Sequence, residues 1–447
     1  MLQLKLDRFG RWVAMVRGDG LPAQLMRGAL GVGGLNLLAL PLVLASSILL
    51  ARGLGPEGFG RYTFVITLIT TLSIPLAPAL MQLTTRETAG MHLTGDNSRI
   101  RALLQWANHY VLLGSVMVIT VVGGVALWNA DWRDDDRWTL LLLGLMALPL
   151  LGLNAVRAGV LAGLRRVVQG QFPDLFVRPL VLLLAAVTML VAGALTPLTA
   201  VVSFLAGAVM AFAVGAALLK RTIPESEEES VPKDSVQNRQ WLRAWLPFTL
   251  LAAASTLNAQ IGILLLGWLS TDDQVAAMQV AERGAMLVVM SLTVMNLVIG
   301  PHITQVYRSG DRKRLQALSR QSARMALVVA LPIALPLIFF GGPIISIVFG
   351  ANYAEIATLP LAILAVGQLI NVVFGSVGRL LVMSGYEKHS LIAQFIALVV
   401  AVAGCFALIP NYGAVGAASA ISFGLMVWNL MLSYKVYKIL GIRPGAV

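Results

Sequence analysis

Apolar residues run along this chain in twelve long stretches separated by short polar connections. Taking about 20 apolar residues as enough to cross a bilayer, spans are predicted near 28–50, 62–83, 103–127, 138–156, 179–195, 198–219, 246–269, 284–306, 325–342, 357–378, 391–409 and 414–434. Bounded this way, none holds an Asp, Glu, Lys or Arg. An even number of crossings puts both termini on one side. The fold class expected is an all-α polytopic membrane protein.

The basic residues decide which side that is. Of the 33 Lys and Arg, 28 fall in the N-terminal segment, the C-terminal tail and every second connection, while the other side carries Arg52, Arg61, Arg133, Arg137 and Arg283. Cytoplasmic loops are the ones enriched in Lys and Arg, so the termini are expected in the cytoplasm. The acids divide more evenly, and the net charge of +12 therefore reflects orientation, not nucleic-acid binding. With 58% hydrophobic and 12% charged residues there is no room for a separate soluble domain. The lone cysteine, Cys405, excludes an intramolecular disulfide and a cysteine-type metal cluster. Ahead of the first span, Leu2, Leu6, Phe9, Val13 and Val16 recur at helical spacing with Lys5, Arg8 and Arg11 elsewhere on the wheel, the pattern of an interfacial amphipathic helix. A basic tail without fixed structure is the alternative.

The longest connection, Lys220 to Arg243, carries Glu225, Glu227, Glu228 and Glu229 among Ser and Pro and separates six spans from six. The expected organisation is a cytoplasmic segment 1–27, an N-terminal lobe 28–219, a linker 220–245, a C-terminal lobe 246–434 and a tail 435–447. Three signals recur 214 to 222 residues apart: Leu54-Gly55-Pro56-Glu57 and Leu269-Ser270-Thr271-Asp272, Arg157 with Gly163 and Arg379 with Gly385, and Ala200-Val201 and Ala414-Val415. Their order favours a duplicated six-span unit. Because six is even, the two units face the same way, giving a parallel pseudo-two-fold along the membrane normal with a path between the lobes.

Polar side chains within spans must be satisfied internally or face a wet cavity. Asn36, Gln82, Asn258, Gln260 and Asn296 are the candidates, and on the eighth span Glu282, Val289, Thr293, Asn296 and Gly300 share one helical face. That face could line a cavity or serve helix–helix hydrogen bonding. Pro41, Pro75, Pro78, Pro301, Pro332 and Pro336 each remove a ladder hydrogen bond. His109 and His302 stand alone in separate spans and read as interior hydrogen-bonding residues, and Asp131, Asp134, Asp135 and Asp136 as a solvated rim. The sequence has no GxxxxGK[ST] phosphate loop, HExxH pair or nucleophile elbow. No enzyme activity, cofactor or metal is expected. No uncharged span holds a carboxylate, which argues against cation coupling at the midplane.

Arg52-Gly53-Leu54-Gly55-Pro56-Glu57-Gly58-Phe59-Gly60-Arg61-Tyr62 after the first span resembles the corresponding loop of bacterial polysaccharide flippases of the O-antigen type, and Arg86-Glu87-Thr88-Ala89 resembles their next signature. Phe349-Gly350-Ala351-Asn352-Tyr353 and Ile409-Pro410-Asn411-Tyr412-Gly413-Ala414 extend the likeness over nearly the whole chain. The resemblance implies a member of the multidrug, oligosaccharidyl-lipid and polysaccharide exporter (MOP) superfamily in the bacterial inner membrane. Such a protein moves a polyprenyl-diphosphate-linked oligosaccharide to the outer leaflet by alternating access, among membrane lipids and beside a polysaccharide polymerase or ligase.

Carrying a diphosphate and a glycan through hydrocarbon uncompensated would cost tens of kcal/mol, and Arg binds phosphate through a planar fork. Arg86, Arg157 and Arg379 are the expected diphosphate-loading residues at the cytoplasmic ends of spans, with Arg52 and Arg283 at the outer mouth. Asn36, Gln82, Asn258, Thr293 and Asn296 complete the candidate cavity. The resemblance places the cavity between spans 1, 2, 7 and 8, and snorkelling or positive-inside anchoring is the alternative for each arginine. A drug or cation antiporter and a lipid II flippase are the competing functions.

Overall fold

A computed structural model describes residues 21–128, 136–223 and 235–446. Most of the predicted amphipathic N-terminal helix, the aspartates at 131–135 and the acidic run at 225–229 lie outside the described residues.

The described chain is built of helices: α1 Leu21–Leu72, α2 Pro78–Thr94, α3 Asn97–Trp128, α4 Asp136–Leu145, α5 Ala147–Gly163, α6 Val167–Phe172, a π-turn Pro173–Val177, α7 Arg178–Val191, α8 Pro197–Thr222, α9 Ser235–Leu269, α10 Asp272–Arg308, α11 Arg312–Phe339, α12 Gly341–Val348, α13 Ala351–Phe374, α14 Val377–Met383 and α15 Glu387–Leu440. Among the described residues, ten helical stretches are long and apolar enough to cross a membrane. Two of them are hairpins. A straight helix of 52 residues would be about 78 Å long, but α1 is interrupted at Gly55 (φ 70°, ψ 176°). Along 31–54 its neighbours advance with the sequence, Gly31 on Val168 and Gly53 on Leu190, whereas along 56–72 they retreat down α9, Phe64 on Gly267 and Thr71 on Gln260. The chain therefore reverses at Gly55.

α15 reverses in the same way at Gly413 (φ 50°, ψ −129°). Gly404 packs on Ala420, and Gly424 approaches the Ala397 carbonyl, as two antiparallel arms require. The turn is tied down by Gln274, whose Oε1 accepts from the Ala414 amide at 2.8 Å. Any side chain at 413 would meet Gln274 and a backbone conformation that L-residues avoid. Gly413→Ala is expected to destabilise the protein by about 1–2 kcal/mol, measurable as a lower thermal unfolding midpoint in detergent.

Proline breaks one crossing outright. After Leu72 the helix stops, and it restarts at Pro78, which occupies the first turn where its missing amide costs nothing. The carbonyl of Pro75 in the gap is satisfied from outside, by Trp245 Nε1 at 2.9 Å. Pro41, Pro332 and Pro336 lie inside continuous helix.

Turns recur along the chain at the offset seen in the sequence. Left-handed backbone appears at Gly95 and Gly310, at Arg165 and Gly385, and at Gly193 and Gly413. In the first pair the following aspartate caps the next helix. Asp96 Oδ1 accepts from the Arg99 amide at 3.1 Å, and Asp311 Oδ1 accepts from that of Arg314 at 2.9 Å. The hydrogen bond from the Arg99 amide, helped by the Ser98 hydroxyl, lowers the pKa of the Asp96 carboxyl.

The helices before residue 223 pack mainly among themselves, as do those after 235. The two sets meet where α1 lies on α10 and where α9 lies on α1 and α2. Small side chains suit close packing around α10, where Ala276, Ala277, Ala281 and Ala285 are all buried.

One expectation from the sequence is overturned. The apolar crossings extend beyond the uncharged runs, to Val167–Val191 and Asp272–Asn296, and so carry Asp174, Arg178, Glu282 and Arg283 inside them. Helical hydrogen bonding continues through charged residues, and only the hydropathy pattern stops at them. Arg178 lies eleven residues beyond Val167, and Arg283 eleven beyond Asp272, about 16 Å along each helix.

Candidate functional site between the two helix sets

The loop between the arms of α1, the start of α10 and the Gly413 turn share one end of the molecule, the Gly55 end. There the two sets are fastened together. Asp272, in the first turn of α10, is buried and receives Arg61 Nε at 3.1 Å and Arg137 Nη2 at 2.9 Å. Arg61 also pairs with Glu57. Gly60 sits so close to the Asp272 carbonyl that no Cβ would fit, and Gly267 is equally tight against the Phe64 ring. Tyr353 Oη donates to the Ala51 carbonyl at 2.8 Å and meets Phe59 edge-on. Arg52 donates Nε to the Val348 carbonyl at 2.9 Å and Nη2 to that of Ile347. These are carbonyls at the end of α12, which a helix leaves unpaired. Arg52 is thus a cap joining the two sets.

Halfway along the molecule the contact is polar in another way. Gln260 Oε1 accepts from Thr70 and Thr71 at 3.2 and 3.0 Å. Arg283 donates to Gln279, whose amide oxygen, turned to satisfy both groups, lies 2.8 Å from Nη2 and 3.2 Å from Nε. Glu282 adjoins it, and Tyr62 lies within electrostatic reach of both Arg283 and Arg178. Arg178 pairs with Asp174 one turn back at 3.4 Å, and Asp174 accepts from Asn154 Nδ2 at 2.7 Å. The side chains of Arg178 and Asp174 keep 30% and 28% of their surface exposed. One cation from each helix set therefore acts electrostatically on this tyrosine. A π-turn sits directly before Arg178, a local irregularity often found at functional positions.

Toward the opposite, basic end the contacts are one-sided. Trp106, Tyr110, Trp241 and Trp245 form a chain of ring contacts joining α3 to the start of α9, and Arg86 lies 5.0 Å over Phe248. On the other flank, none of the hydrogen bonds or ion pairs between the two sets involves residues 31–45 among the described residues. Leu38 there is 64% exposed.

The predicted site residues separate accordingly. Arg283 is at mid-depth instead of the mouth. Arg86 is exposed, paired with Glu87 at 2.6 Å and reaching across to α9. Arg157 is committed within the first set, its guanidinium 3.9 Å over the Phe212 ring and Nη1 donating to the Phe212 carbonyl at 3.2 Å. Arg379 is exposed on α14. Asn258 joins α9 to α15 through the Gln394 carbonyl at 3.1 Å. Asn36 and Thr293 are exposed and bond to carbonyls of their own helices. Gln82 is half-buried. Asn296 buries its Oδ1 without a partner among the described residues. Neither Arg178 nor Tyr62 is among the site residues expected from the sequence. Their signal was a short charged patch, Asp174 to Arg178, flanked by apolar residues on both sides.

With this geometry in view, residues 25–307 match the family model described as polysaccharide biosynthesis protein, more than half of the chain. The chain belongs to that family. A second model, MatE, matches residues 247–407. A curated relative from Haloferax volcanii, named a probable low-salt glycan biosynthesis flippase, is 22% identical over 57% of this chain and 52% of its own length. The chain thus spans about half the length of that relative. An inward-facing multidrug resistance transporter of the MATE family superposes with a TM-score of 0.73 at 14% identity, covering 92% of this chain and 98% of that one. The lipid II flippase in an inward closed conformation gives 0.73 at 14% identity, over 90% and 86%. An outward-facing MATE structure gives 0.61 at 16%, over 96% and 98%. These likenesses establish the shared fold.

Proposed function

We propose that this family member is a flippase for a polyprenyl-diphosphate-linked oligosaccharide, carrying it from the cytoplasmic to the outer leaflet of the bacterial inner membrane. The observation that carries this reading is that Arg178 and Arg283, one from each helix set, each lie about 16 Å along an apolar crossing and within electrostatic reach of Tyr62. An isolated cation at that depth costs about 2.5–3.5 kcal/mol or more. Two are worth keeping where a diphosphate must pass, because each makes charge-assisted, forked hydrogen bonds to phosphate oxygens.

The basic end is the cytoplasmic one, and the two helix sets are lobes that rock about their contacts at α1, α2, α9 and α10. Turns recurring 215 to 220 residues apart support a duplicated origin for the lobes. In the arrangement described, the Gly55 end is sealed and the flank at residues 31–45 is where a lipid-linked head group would enter. Arg86 is placed to meet the diphosphate first. Thr70, Thr71 and Gln260 offer hydroxyls and an amide to the glycan.

Loss of the protein is expected to leave the lipid-linked oligosaccharide on the cytoplasmic leaflet, read by its inaccessibility to an externally added glycan-modifying enzyme. Outward exposure at the wild-type level in the deletion strain would refute the assignment.

The mid-depth carboxylates Asp174 and Glu282 support a second reading, a cation-coupled antiporter. It predicts that Glu282→Gln raises sensitivity to cationic dyes while surface polysaccharide stays normal. The flippase reading predicts the opposite pattern.

A further inference from the structure

The basic residues at the two halves of the basic end are treated differently by the fold. In the first helix set Arg86 pairs with Glu87, Arg99 with Asp96 at 3.1 Å, and Arg166 donates to Gln169 and Thr222. In the second set Arg308, Arg312, Arg314, Arg379, Lys438 and Arg443 are all exposed, and none makes an ion pair among the described residues. The acids close by in sequence are Asp311, whose carboxylate is engaged in capping α11, and Glu387 in the first turn of α15.

These cations share one surface because their helix ends share one apolar platform. Val306, Leu315, Val377, Leu380, Leu440 and Ile442 pack together beneath it. Tyr307 interacts with Tyr386 and with Arg312. The Arg312 guanidinium lies against Gly441. The segment after α15 is folded onto the same place: Ile442 is buried, the Ala446 amide donates to the Val373 carbonyl at 2.9 Å, and Arg324 Nε donates to the Ala446 carbonyl at 2.9 Å. The docked tail carries Arg443 on its exposed side, so the fold holds that cation on the surface. Tyr434 and Tyr437 are 60% and 53% exposed on the last turns of α15, interleaved with Lys435 and Lys438. Exposed tyrosine beside lysine at the end of a membrane-crossing helix marks the depth of lipid head groups.

We propose that this face is a binding surface for anionic phospholipid head groups of the leaflet at the basic end, held by the unpaired cations of the second set and not by those of the first. Each cation near such a surface favours anionic lipid, so several acting together hold a preferred annulus on one lobe. The partner is a lipid because the cations lie at head-group depth with tyrosines among them. The surface is separate from the mid-depth cations and does not depend on what the protein transports.

The test is thermal unfolding of the purified full-length protein in a neutral detergent, with added phosphatidylglycerol or phosphatidylcholine. Wild type should gain more stability from phosphatidylglycerol. The Arg312→Gln, Arg314→Gln, Lys438→Gln, Arg443→Gln variant should lose at least about half of that difference. An Arg99→Gln, Arg166→Gln variant should keep it. Replacing the same four positions by the other basic residue should preserve the effect even where the Gln variant unfolds during purification. The proposal fails if the four-fold Gln variant retains the full lipid preference. It fails equally if inorganic diphosphate reproduces the shift, since the surface would then read a free anion, or if phosphatidylcholine stabilises as well as phosphatidylglycerol.

Discussion

Arg283→Gln is expected to reduce export of the lipid-linked oligosaccharide by at least about tenfold at unchanged protein level. The figure follows from losing one charge-assisted contact, about 1.5–3 kcal/mol, where the surroundings are partly desolvated. The side chain is held in place by Gln279, so the variant removes charge without opening a cavity. Arg178→Gln should act in the same direction and more broadly, because it also releases Asp174 and through it Asn154. A partly buried carboxylate deprived of its partner is destabilising, so a lower unfolding midpoint should accompany the loss of export in that variant. Arg157→Gln is the contrast: it loses packing on Phe212 and a bond to a carbonyl, and stability should fall before export does. Export assays run beside unfolding curves for the three variants separate these roles. Export by Arg283→Gln at the wild-type rate would remove the phosphate role from that residue.

The second large effect concerns the seal at the Gly55 end. Gly60→Val places a branched side chain against the Asp272 carbonyl, and no rotamer avoids it because the obstruction is at Cβ. The sealed arrangement should then be disfavoured by several kcal/mol, as overpacking of a tight contact commonly costs 1–3 kcal/mol and backbone opposite a Cβ cannot yield as a side chain would. A ligand-free population would shift toward the form open at that end, since a difference of this size moves a two-state equilibrium by more than tenfold. Asp272→Asn should move it the same way by removing the carboxylate that receives Arg61 and Arg137. The readout is thiol labelling from outside the cell at cysteines introduced near Thr70 and Gln260. The natural background is low, because Cys405 is the sole cysteine and is buried. Labelling should rise in both variants. Unchanged labelling with Gly60→Val would mean the Gly60 contact does not close the path.

Much of this fold is legible in the sequence because hydrocarbon leaves few choices. Apolar runs had to be helices, and the hairpins at Gly55 and Gly413 lay where a glycine interrupted runs too long for one crossing. The break in the second crossing was signalled by Pro75 and Pro78. The charged centre was missed for a specific reason. Bounding each span at its first charge began the fifth at Pro179 and the eighth at Gly284, one residue away from Arg178 and Arg283 respectively. Extending each run until its far flank also turned polar would have enclosed both. The repeated Gly-Asp-x-x-Arg of Gly95 to Arg99 and Gly310 to Arg314 was equally present in the sequence, and its meaning became plain only as a left-handed turn followed by a cap.

Other roles could not be read in advance, because they depend on distant partners. Arg52 looked like a mouth residue and caps α12, 295 residues away in the chain. Arg157 looked like a loading residue and stacks on Phe212. Asn258 looked like a cavity residue and joins two helices. Spacing along one helix cannot tell a side chain that lines a cavity from one that bonds a neighbour, since both occupy a polar position on an apolar rod.

The central claim is that paired cations at mid-depth carry a diphosphate across the bilayer. It is tested most directly by reconstituting the purified protein in liposomes with a fluorescent polyprenyl-diphosphate saccharide and following its loss of protection from a membrane-impermeant quencher. Wild type should transfer the lipid to the other leaflet, inorganic diphosphate should compete, and Arg178→Gln with Arg283→Gln should reduce transfer to the rate of empty liposomes while the protein remains folded. Transfer by that double variant at the wild-type rate would contradict the account.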